Sequence, residues 1–187
     1  MKTPFNIKKL ASYLKDRQLM VYATEEHLLI GESSAMFQVE RHKDLAACDP
    51  GVHGKAYIKA RDESDFLEEH IHNPSRLWEG WSSEFIDTHI VYPKDYFYQP
   101  FDGFLVRKFT NRTPETPNNK VVTVWINKRL TDILAPMEID LDYHFRWEML
   151  YKPGDPLQIQ PVRVSFRKQM SDEWKIVAFF MPFNHKE

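Results

Sequence analysis

The chain has 187 residues, 42% of them hydrophobic and 14% aromatic, and 25 Lys plus Arg stand against 27 Asp plus Glu for a formal net charge of -2. That is enough apolar material for one ample core or two small ones, which argues against disorder, and the charge balance argues against a protein that coats nucleic acid indiscriminately while leaving room for a local basic face. The single cysteine, Cys48, excludes an internal disulfide and fits a reducing compartment, so a cytoplasmic location is expected.

The first predicted element is a helix. Ile7, Leu10, Ala11 and Leu14 take one helical face, Asn6 is placed to cap it, and Lys8, Lys9, Ser12 and Lys15 take the other side. Three short strand-like runs follow, Leu19 to Thr24, His27 to Ile30 and Ala35 to Glu40, separated by Glu25-Glu26 and Gly31-Glu32-Ser33-Ser34. A strand is expected around Lys55 to Ala60. Asp65 and Glu68 then have the spacing of a capping box, which predicts a short helix carrying Phe66, Leu67 and Ile71 and stopped by Pro74.

Strand-like segments recur near Phe85 to Tyr92 and Phe104 to Phe109, and the aromatic stretch from Tyr92 to Pro100 reads as an ordered loop or edge strand. The polar, proline-containing segment Asn111 to Asn119 is the best linker, dividing an N-terminal lobe (1–110) from a C-terminal lobe (120–187) unless both fold as one compact domain. In the second lobe, Val121 to Trp125 is the clearest strand. Asn127 caps a predicted helix with Ile126, Leu130, Ile133 and Leu134, ended by Pro136. Strands are expected through Ile139 to Leu150, Val162 to Arg167 and Trp174 to Phe180. Runs of antiparallel strands with isolated short helices define the expected class as α+β.

The chain offers little catalytic chemistry. His70 and His72, in Glu68-Glu69-His70-Ile71-His72, would point to different helix faces and are poorly spaced for a shared metal. Glu138, Asp140 and Asp142 would line one strand face, where a solvated surface is the simpler account. The serines lack nucleophile-elbow glycines, and six glycines form no phosphate-cradling turn. A non-enzyme without cofactor or metal is therefore expected. The longest apolar stretch, Ile176 to Phe183, is broken by Pro182 and too short for a bilayer, so no membrane partner is expected either.

Two sets of residues suggest binding. The first predicted helix carries Lys8, Lys9, Lys15 and Arg17, and the third carries Lys128 and Arg129; on one shared surface they would meet phosphates without reading bases. Trp78 and Trp81, with Tyr96, Phe97 and Tyr98, would supply contact area for a protein partner, or else plug the gap between sheet and helix. The acidic predicted helix, with Asp62, Glu63, Asp65, Glu68 and Glu69, would repel DNA.

Three segments together resemble the bacterial DNA sliding clamp, the processivity ring of the replicative polymerase, and its phage-encoded relatives. The run from Val21 to Val39 is similar to a clamp strand and turn, with Gly31-Glu32-Ser33-Ser34 where the family has Thr-Asp-Gly-His. Val124 to Leu134 is similar to the clamp's passage from strand into helix. Pro161 to Phe166, followed by Trp174 to Phe183, is similar to the proline-led strand, charged turn and final Met-Pro strand that close the clamp polypeptide. The segments cover part of a chain too short for the three-domain bacterial clamp. The resemblance implies a reduced clamp-like protein from a phage or mobile element. It would bind DNA through its backbone, or a replication protein, with assembly of identical copies in view. Lys8, Lys9, Lys15, Lys128 and Arg129 would be its phosphate-facing residues. The alternative is an inhibitor or adaptor that binds protein through the aromatic set.

Overall fold

In a computed structural model, which describes residues 3–83, 87–101, 104–111, 122–134, 143–151, 161–168 and 170–183, helix α1 spans Ile7–Leu14. Its Asn6 cap accepts a hydrogen bond from the Lys9 amide at 3.1 Å, and Leu10 and Leu14 are fully buried one turn apart. Strands β1 (Leu19–Ala23), β2 (His27–Glu32) and β3 (Ala35–Glu40) form the expected meander. After a 3-10 turn at Lys43–Cys48 come β4 (Ala56–Lys59), β5 (Phe66–Glu68) and helix α2 (Pro74–Ser82).

The capping-box helix expected at 65–71 is instead the edge strand β5, paired with β4 through Ile58 and Leu67. The ring of Phe66 packs edge-on against Tyr57 at 6.3 Å, so a cross-strand pair outweighs a local helix signal. Pro74 begins a helix rather than ending one. Its fixed φ suits the first turn, and Asn73 caps it by accepting from the Ser75 amide at 2.9 Å.

Then come β6 (Asp87–Phe101), β7 (Phe104–Thr110), β8 (Thr123–Asn127), α3 (Lys128–Thr131), β9 (Tyr143–Tyr151), β10 (Val162–Lys168) and β11 (Lys175–Phe180). Asn127 caps α3 as expected, accepting from the Arg129 amide at 3.0 Å, but the helix is a single turn and Ile126 belongs to β8. The strands form one antiparallel sheet in the order β5-β4-β1-β2-β3-β11-β10-β9-β6-β7-β8. The architecture is thus α+β, mostly antiparallel sheet with a few short helices. No described helix is long and apolar enough to cross a membrane.

Two units repeat an order, α1-β1-β2-β3 and α3-β9-β10-β11, and they meet where β3 pairs with β11. The expected lobe boundary does not separate two sheets, because β6 pairs with β9 and β7 with β8 across it. The linker 112–119 itself lies outside the described residues. Beyond β11 the chain pairs again: the Phe183 amide donates to the Trp125 carbonyl on β8 at 2.6 Å. The six strands from β11 to β8 therefore curl back on themselves. Trp147 fills their interior, with its ring 4.5 Å from Phe109 and 5.9 Å from Phe180.

The main core lies on the face that α1 covers, the front. On the back, a smaller cluster of Met36, Leu150 and Phe179 sits beneath α2.

Candidate nucleic-acid interface

The site begins with the placement of α1 and α3. The Asn6 amide donates to the Ile133 carbonyl at 2.7 Å, and Phe5 forms a bridge with Leu134, which sets the start of α1 beside the end of α3. Leu10, Leu14, Leu130, Ile133 and Leu134 are buried beneath them, so the polar sides of both helices face outward together.

Between them runs an open groove of about 850 Å³, lined by Lys8, Lys9, Ser12, Tyr13, Asp16, Arg17, Arg61, Arg129, Asp132 and Ile133. Five cations face it against two carboxylates, although the whole chain is net negative. Lys8, Lys9, Arg61 and Arg129 are exposed and have no carboxylate within ion-pair distance among the described residues. A smaller pocket of about 390 Å³, which shares Arg129 and Asp132, extends the groove past Lys128 to Gln99, Phe104 and Leu105. Lys8 and Lys9 occupy the first turn of α1, where the helix dipole is positive and no acidic residue offsets them. Such a placement disfavours the helix slightly and raises the potential an anion would meet.

A buried network fixes the groove's floor. Glu32, at the β2–β3 turn, accepts from the Tyr13 hydroxyl at 3.0 Å, from the Ser34 hydroxyl at 2.7 Å and from the Ser34 amide at 2.9 Å through Oε1. Its Oε2 takes Ser33 at 3.1 Å and Arg17 Nη1 at 3.2 Å. The Arg17 guanidinium also lies 3.9 Å from the centre of the Tyr13 ring. Burial raises the Tyr13 phenol from 10.0 to about 12, with the Ser34 hydrogen bond opposing and the Glu32 charge reinforcing the shift. The Gly31-Glu32-Ser33-Ser34 turn thus anchors α1 to the sheet.

Of the phosphate-facing set read from the sequence, Lys8, Lys9 and Arg129 line this groove together. Lys128 stands at its extension, where its ammonium pairs with Asp132 at 2.6 Å and lies 5.8 Å from the Phe97 ring centre. Lys15 caps the C-terminal end of α1, exposed but outside the groove lining. Arg17 and Arg61 are added by the fold. Arg61 follows β4, and only the pairing of β4 with β1 brings it near α1, which no local pattern announces. The acidic residues Asp62, Glu63, Asp65, Glu68 and Glu69 lie on or beside β5, and none lines the groove.

Among the described residues, the aromatic set makes its ring contacts in separate places. Trp78 and Trp81 on α2 are half-buried against Phe179, with ring centres 4.8 Å and 5.4 Å away. Phe97 is 40% exposed on β6, whereas Tyr98 packs near Trp125 at 5.9 Å. The side chain of Tyr96 lies outside the described residues.

His70 and His72 are exposed beyond β5, and no group of three or more metal-ligating side chains occurs among the described residues. Glu138, Asp140 and Asp142 lie outside those residues. In comparisons with known proteins, no family model, no curated sequence and no solved structure matches the chain.

Proposed function

We propose that this chain is a non-enzymatic, clamp-like protein that holds duplex DNA by its phosphate backbone in the groove between α1 and α3. The observation that carries the reading is the convergence of Lys8, Lys9, Arg61 and Arg129, from three separate parts of the sequence, on one open groove. Cations without carboxylate partners among the described residues, on flexible side chains, suit sequence-independent phosphate contact, which needs charge and reach rather than base-edge geometry. Arg17 contributes less, because Glu32 already neutralises part of its charge.

In the segments that resemble the clamp family, β8 runs directly into α3, Pro161 precedes β10, and Met181-Pro182 follows β11. The repeated helix-plus-meander unit is consistent with a scaffold that presents two helices side by side.

The test is binding of a short labelled duplex over a salt series. Four phosphate contacts predict a log–log slope of about −3 to −4, and each lost cation should reduce it by roughly one. The triple variant Lys8→Glu, Lys9→Glu, Arg129→Glu should bind more than tenfold weaker while keeping its melting transition. No binding at low salt, or binding indifferent to salt, would remove the reading.

A further inference from the structure

A second cationic site lies on the opposite face of the sheet. In the β9–β10 register, Glu148 lies opposite Arg163, Arg146 opposite Ser165 and His144 opposite Arg167. All six therefore point away from the front core that holds Trp147, Val162 and Val164. Among the described residues, Arg146 and Arg163 of this patch pair with one carboxylate, Glu148.

Glu148 is almost fully buried. It accepts from Arg163 Nε at 3.2 Å and Nη2 at 3.3 Å, and from the Thr88 hydroxyl at 3.3 Å. Arg146 Nε sits 3.2 Å from the same carboxylate without the alignment of a hydrogen bond, a charge contact only. Trp174, just before β11, has the Arg146 and Arg167 guanidinium carbons 4.7 Å and 4.8 Å from its ring centre. Among the described residues, Arg167 has no carboxylate within ion-pair distance and its buried Nε meets no acceptor. Beside this row on β6, Ile90 is 45% and Tyr92 40% exposed, with Ile90 opposite Glu148 in the register.

Stacking on an indole and contact with a buried carboxylate hold guanidinium planes in place, so their outer N–H groups are set before any ligand arrives. Among the described residues, one carboxylate faces three guanidiniums in a half-buried setting, an excess of two positive charges. A carboxylate-bearing ligand would satisfy them with forked, charge-assisted hydrogen bonds. Arg, Trp and Tyr beside exposed aliphatic surface is also the composition of protein-binding hot spots rather than of a phosphate track. Alternate side chains of an extended peptide repeat at about 7 Å, close to the diagonal spacing of cross-strand neighbours.

We propose that this back face docks an acidic, extended segment of a partner protein. Its carboxylates would bind Arg146 and Arg167, and an apolar side chain would rest on Ile90 and Tyr92. The site is independent of the DNA groove, since it stands on different strands and the other face.

The test uses a short labelled peptide that alternates glutamate with serine around one leucine, followed by fluorescence anisotropy on the full chain. Saturable binding is expected. Arg167→Glu should weaken it at least about tenfold, and Arg167→Lys, which keeps the charge but loses the fork, by less. Arg167 is the residue of choice because it leaves the Glu148 pairing intact, and an unchanged melting curve separates docking from folding. Lys8→Glu with Lys9→Glu should leave peptide binding unaltered. The proposal is overturned if the wild-type chain shows no saturable binding, or if Arg167→Glu binds as well. It is also overturned if the lysine-for-glutamate peptide binds equally, or if a single-stranded oligonucleotide of the same charge displaces the peptide from this face.

Discussion

On the front of the sheet, Lys8, Lys9, Arg61 and Arg129 stand exposed on helices and a turn around an open groove, each without a carboxylate partner among the described residues. On the back, Arg146, Arg163 and Arg167 lie half-buried on two adjacent strands, held by Glu148 and Trp174. Cations on mobile stems lose little by following an irregular polyanion, and salt weakens them freely. Planar groups locked by packing give up that tolerance for geometry. One chain with a net charge of -2 therefore presents positive charge in two forms, one compliant and one held by packing.

The largest effect that separates the two faces should come from their buried glutamates. Glu148→Ala leaves Arg163, whose side chain is 13% exposed, without its counter-charge and should cost about 3–5 kcal/mol in urea unfolding. Glu32→Ala should cost less, roughly 2–3 kcal/mol, because its donors are mainly hydroxyls and an amide, and Arg17 at 34% exposure can turn to water. Equal costs would erase the distinction between a locked and a compliant face.

A smaller effect concerns salt. The DNA slope should exceed the peptide slope, and Lys9→Ala should lower the former by about one without touching the latter. The smallest effect is in Tyr13. Its folded pKa of about 12 lies above the ordinary 10.0, so the unfolded chain loses the proton first and stability falls as pH rises between these values. Relative to Tyr13→Phe, the loss should be on the order of 1 kcal/mol after allowance for partial exposure, complete above the upper value and absent below the lower. Ultraviolet titration that found no late-ionising tyrosine would contradict the Tyr13–Glu32 geometry.

Local signals carried much of this fold. Asn6 and the Leu10/Leu14 spacing gave α1 within a residue, and alternation gave most strands. The misreadings were contests between local and distant contacts. Asp65 and Glu68 fit a helix start, but the edge of β4 claimed that stretch, and Pro74 fits either end of a helix until its neighbours are known. Basic residues were legible one helix at a time. Their assembly was not, because it depends on the β4–β1 pairing that places Arg61 and on the Asn6–Ile133 hydrogen bond that joins α1 to α3. The back-face arginines alternate with core residues along β9 and β10, a pattern any half-covered strand shows. Only the register reveals that they surround one carboxylate and one indole.

The Phe183–Trp125 hydrogen bond has a bearing on behaviour in a crowded solution. By occupying part of the outer rim of β8, it withholds backbone groups that a foreign strand would otherwise copy. The opposite rim, β5, is three residues long and flanked by acidic side chains, a poor template for self-association. Removal of the residues from Met181 onward should therefore leave the core sequence untouched yet raise the tendency of the protein to form fibrils.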